Sequence, residues 1–123
     1  YKVNVSYHHS NEQKNKDQFS VLNNYHINVV KGFIDKLAST PDGDGSLLDH
    51  SLILYGSSMS DANEHNFDPL PILLMGGANG LIEGGRHLEF AAHTPLANLY
   101  LGLLDKLGIH QDSFGNSTGR LEV

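Results

Sequence analysis

Asp61, Asn63, Glu64, His65 and Asp68 fall within eight positions of the stretch LYGSSMSDANEHNFDPLPILLMGG, residues 54–77. Asp61 and His65 offer one oxygen and one imidazole nitrogen, donors that suit a divalent ion such as Zn²⁺. The same residue types also serve a blander purpose. Ser60, Asp61, Asn63 and Asn66 are short polar side chains that bond nearby backbone amides in turns. Spacing alone leaves both readings open.

His8 and His9 form a second candidate pair, because adjacent histidines in a loop can both reach one site. They are expected to complete or adjoin the Asp61/His65 site as further metal ligands. Arg86, with His87 beside it, stands in a glycine-rich loop where a guanidinium can clamp a phosphate or sulfate oxygen in bidentate fashion, so both are expected to bind an anionic substrate. Pairing of Arg86 with a nearby carboxylate is the competing reading. His26 and His50 flank apolar elements and are expected to be core or capping histidines.

Eight histidines stand against only eight Lys and Arg in the chain, and there is no cysteine. Disulfides and thiolate metal sites are thereby excluded, and any zinc would rest on His and carboxylate ligands. The net charge of −6 disfavours nucleic acid, which needs clustered basic residues. GGANGLIEGG lacks the patterns of a phosphate-binding loop, so no nucleotide cofactor is expected. No G-x-S-x-G elbow is present, and no nucleophile is identifiable in the chain.

Positioning these residues falls to a few elements within one domain of 123 residues. Residues 1–10 alternate weakly, as a strand end does. Residues 11–18 read as a loop or the first turns of a helix. Phe19, Leu22, Tyr25, Val29, Phe33 and Leu37 have the spacing of one helical face, ended by the breakers in STPDGDG, 39–45. The apolar runs SLILY, 51–55, and PILLM, 71–75, read as strands buried on both faces of a parallel sheet. Thr94 and Pro95 open a second helix whose buried face comprises Leu96, Leu99, Tyr100, Leu103, Leu104 and Leu107, and Gly108 closes it. The expected class is α/β, a mostly parallel sheet flanked by helices. No apolar run approaches the length of a membrane span, so no integral membrane segment is expected.

Four stretches carry a resemblance: TPDGDGSLLDHSLILYGSSMSDANEHNFDPLPILLMGG, GGRHLEF, TPLANLYLGLLDKLGI and SFGNSTGRL. In order and spacing the chain resembles the C-terminal part of a bacterial family of uncharacterised proteins named for an H-x-x-S-H-H motif. At the motif this chain reads Asn4-Val5-Ser6-Tyr7-His8-His9, with the two final histidines but neither the first His nor the Ser. That family in turn resembles the alkaline phosphatase and sulfatase superfamily. The resemblance implies the C-terminal portion of an alkaline-phosphatase-like fold, with Asp61 and His65 in the metal loop and Ala62 where a His usually follows the Asp. It also implies descent from metal-dependent phosphate or sulfate ester hydrolases, whose nucleophile and first ligands lie in an N-terminal half that this chain does not contain.

Catalytic degeneracy fits the altered motif, and the alternative is a non-catalytic accessory or structural subunit of a larger extracytoplasmic complex. The chain begins at Tyr1 and has no charged region followed by an apolar one, so a processed or truncated piece of a periplasmic or otherwise exported protein is expected, with a missing N-terminal portion or a larger assembly as partner.

Overall fold

The computed structural model describes residues 8–123. Helix α1 spans Gln13–Ala38, then come two short strands, β1 (Pro41–Asp42) and β2 (Gly45–Ser46). Strands β3 (Ile53–Gly56) and β4 (Ile72–Met75) and helix α2 (Leu96–Lys106) follow, and the chain is mixed α and β. Of the strand expected over 1–10, residues 1–7 lie outside the described range.

The polar stretch 11–18 joins the long helix, which begins at Gln13 rather than Phe19. The breaker cluster does more than stop it: Pro41 and Asp42 pair antiparallel with Ser46 and Gly45 in a minimal hairpin.

The expectation of a parallel sheet is corrected for the two apolar runs. β3 and β4 pair antiparallel, Ile53 opposite Met75 and Gly56 opposite Ile72. A parallel pair needs a crossover long enough to return the chain to its starting end, usually a helix. Residues 57–71 contain no helix and double back on themselves, which delivers β4 in the opposite sense.

Burial on both faces is corrected as well, because no residue of either strand is fully buried. Period-two alternation sends Leu54, Ile72 and Leu74 to one face, where they and Leu52 pack against Leu99, Leu103 and Val123. Leu73, on the opposite face, is 49% exposed.

Glycine at 76 is dictated by close approach. Its φ is +93°, and a Cβ there would lie 2.2 Å from the Ser51 carbonyl oxygen. Beyond it the amides of Gly77, Ala78 and Asn79 donate to the carbonyls of Leu48, Ser51 and Asp49, which stitches the glycine-bearing turn after β4 to the segment before β3.

α2 carries the core on more than the expected face: Leu101 is the most buried large side chain, and Asn98 and Gly102, also buried, lie against the C-terminal tail. Asn98 binds Thr118 through both side-chain atoms, and its carbonyl accepts from Leu121. The Gly108 amide bonds to Asp105 and that of Ile109 to Leu104, the Schellman closure that Gly108 foretold. Thr94 differs from expectation, since its hydroxyl donates to the Ala91 carbonyl and caps no amide of α2.

Candidate functional site

Two segments far apart in sequence meet at the loop between β3 and β4. The His8-His9 segment enters α1 through a tight turn in which Ser10 and Asn11 both adopt positive φ, a conformation costly for residues with side chains. The turn is pinned to α1 because the His9 carbonyl accepts from the Glu12 amide and from Asn15 Nδ2. It is pinned to the loop because the Ser10 amide donates to Asn63 Oδ1 at 2.8 Å.

Within the loop Asp61 organises the backbone. Its Oδ1 accepts the Asn63 amide at 2.8 Å and the Glu64 amide at 3.4 Å, and His9 Nε2 approaches the same oxygen at 3.4 Å. These donors, first among them the Asn63 amide, hold the Asp61 carboxyl below its ordinary value against the opposing effect of partial burial. Asn66 closes the base of the loop, its Oδ1 accepting the Asp61 amide and its carbonyl the Ser60 amide. Turn chemistry and clustering of the candidate ligands therefore occur in one structure.

His9 is buried, and its Nδ1 accepts the Asn11 amide at 3.1 Å, so the neutral ring carries its proton on Nε2, toward Asp61. Neither nitrogen presents a lone pair to a metal in this arrangement. His8 packs edge-on against His65, with ring centroids 4.8 Å apart, and His65 itself has a positive φ. The structure thus brings His8, His9, Asp61 and His65 together.

The donor types, imidazole and carboxylate, match zinc. Their placement does not amount to a coordination shell: among the described residues no group of three or more His, Cys, Asp or Glu side chains is set to hold an ion.

Arg86 and His87 stand apart. Arg86 Nε donates to the carbonyl of Glu83 within its own loop, both residues are exposed, and no contact ties either to the cluster among the described residues.

Three further histidines pair with aspartates, of which only Asp68 belongs to the stretch that spacing singles out. His93 Nδ1 and its backbone amide both meet Asp68 Oδ2, at 2.6 and 3.2 Å, which joins the cluster loop to the segment before α2. His110 Nδ1 lies 2.7 Å from Asp105 and, with Arg120, lowers that carboxyl's pKa. His50 places Nδ1 2.9 Å from Asp42 and Nε2 3.3 Å from Asp44, and the Asp42 hydrogen bond raises its pKa. A sequence signal for the His50 group existed in the DGDG run that precedes it. His26 is corrected from a core or capping role: it lies exposed on α1 beside Tyr25.

Comparison with protein-family models, curated proteins and solved structures finds no match to this chain.

Proposed function

We propose that this chain is the C-terminal part of an alkaline-phosphatase-like protein whose β3–β4 loop descends from the metal loop of phosphate or sulfate ester hydrolases and has lost self-sufficient catalysis. The observation that carries this reading is the meeting of the His8-His9 segment, at the position of the motif, with Asp61 and His65 of the loop, across 53 residues at the Ser10–Asn63 bond. Zinc is the ion the donor set matches, with Asp61, His65 and His8 as the residues that would hold it. His9 is then a positioning residue, steering Asp61 through Nε2 while the Asn11 amide fixes its tautomer. Because the ligands do not form a shell as placed, no chemical step is assigned to a metal. Arg86 and His87 remain the candidates for contact with an anionic substrate only in a larger assembly that carries their loop to the cluster. The exported, periplasmic location implied by the resemblance belongs to the same proposal.

A screen of aryl phosphate and aryl sulfate hydrolysis, with and without added zinc, tests the loss of catalysis. The expected result is no turnover above the buffer rate and no difference between the wild type and Asp61→Ala. Zinc-dependent turnover abolished by Asp61→Ala would contradict it.

A second reading, an accessory or structural subunit of a larger extracytoplasmic complex, is favoured by one observation. α1 contains no buried residue, and Val21, Tyr25, Val29 and Phe33 on it are 53–70% exposed, which is the mark of a surface made to be covered. Among the described residues no helix is long and apolar enough to cross a membrane.

A further inference from the structure

α1 is a poor helix on its own account. It carries Asn15, Asn23, Asn24 and Asn28, several β-branched residues and Gly32 in its interior, and its N-cap Glu12 makes no side-chain capping bond. Helices of this composition are held by packing rather than by propensity. Yet among the described residues none of α1 belongs to the core cluster or packs against it. Val21, Tyr25, Val29 and Phe33 recur every four residues and form one apolar ridge.

The same chain holds a matching concavity. Leu52 and Leu54, Tyr100, Leu103 and Leu107 of the α2 region, and Phe114 of the tail line an apolar cleft of about 290 Å³. Leu107 and Phe114 at its margin are 50% and 43% exposed.

Charge is split along the same division. α1 has four lysines against two aspartates, net +2, whereas residues 39–123 have three basic side chains against eleven acidic ones, net −8. A net-basic helix that bears an apolar ridge and a net-acidic body that bears an apolar cleft, on one chain, are complementary.

We propose that a second copy of this chain covers α1, with the Val21–Phe33 ridge of each copy seated in the α2 cleft of the other. Exchange in both directions makes the contact two-fold and closed, so association stops at the dimer. The inference stands apart from the metal loop, whose residues take no part in it.

Sedimentation equilibrium of the full chain at tens of micromolar tests it. The expected mass is twice the 13.5 kDa of the chain, with a dissociation constant that rises several-fold between low and moderate salt as the opposite charges are screened. Phe33→Asp and Leu107→Asp, both at exposed positions and each checked for retained helix by circular dichroism, are expected to be monomeric. Mixed in equal amounts they should recover a dimer, because the mixed pair keeps one intact ridge and one intact cleft. A monomeric wild type overturns the proposal, as it would if another protein or another part of a longer polypeptide covers α1. A mixture of the two variants that stays monomeric also overturns it, and so does a Leu107→Asp variant that is dimeric on its own, the result that pairing of ridge with ridge gives.

Discussion

Replacing Asn98 by Ala releases the C-terminal tail from α2. Asn98 is 6% exposed, accepts the Thr118 amide on Oδ1 at 2.8 Å and donates from Nδ2 to Thr118 Oγ1 at 3.1 Å. Each such bond contributes about 1 kcal/mol net, and Thr118 is exposed, so water takes over its amide and keeps the penalty near the sum of the two. Removal of the buried side chain adds a small cavity, for a total loss of about 2–3 kcal/mol. Urea unfolding is the assay. With a slope of about 1–3 kcal/mol/M, the midpoint should fall by roughly 0.7–3 M. Thr118→Ala combined with Asn98→Ala should show a coupling of about 1 kcal/mol, because the two side chains share a bond. A shift below about 0.5 kcal/mol, the size of an ordinary surface substitution, would mean that the tail is not clasped through Asn98.

His50 makes stability depend on pH. Its folded pKa lies above the ordinary 6.5, chiefly because of Asp42, so its contribution is complete below that value and is lost as pH rises through the raised one. Thermal melts of the wild type should decline over that window while His50→Gln stays flat there, and parallel curves would exclude the mechanism. His9→Phe keeps the volume but removes both ring nitrogens, so the Asn63 and Glu64 amides should exchange with deuterium several-fold faster, and unchanged protection would mean that Asp61 needs no help from His9. Gly76→Ala forces a Cβ against the Ser51 carbonyl at positive φ, and a loss of about 3 kcal/mol or more by chemical denaturation is expected; a neutral substitution would show that the turn relaxes freely.

Local signals in the sequence carried much of this architecture, and long-range pairing did not. The helical spacing from Phe19 to Leu37, the closure at Gly108 and the positions of both apolar runs were readable because each depends on residues within a turn or two of one another. The direction of β4 relative to β3 was not, because an apolar run such as PILLM has the same composition in either orientation and only the course of 57–71 decides it. The broad burial of α2 was missed for a related reason: Asn98 is polar, and its burial is intelligible only once Thr118 and Leu121 are known to lie against it. At the candidate site, residue types named His8, His9, Asp61 and His65, but spacing could not tell ligand from positioner. That distinction rests on the Asn11 amide, which occupies His9 Nδ1 and so turns the Nε2 proton toward Asp61. Arg86 and His87 share a loop whose glycines impose no defined course, so nothing local could indicate how far they stand from the cluster.

Elemental analysis is the direct test of the proposal that the His8, His9, Asp61 and His65 cluster is a hydrogen-bonded remnant of a metal loop without self-sufficient catalysis. The wild type should be compared with Asp61→Ala and His65→Ala after purification without chelator. A remnant loop should hold divalent metal well below one equivalent in all three proteins. Near-stoichiometric zinc in the wild type, lost in both variants, would contradict it and make the loop a working metal centre.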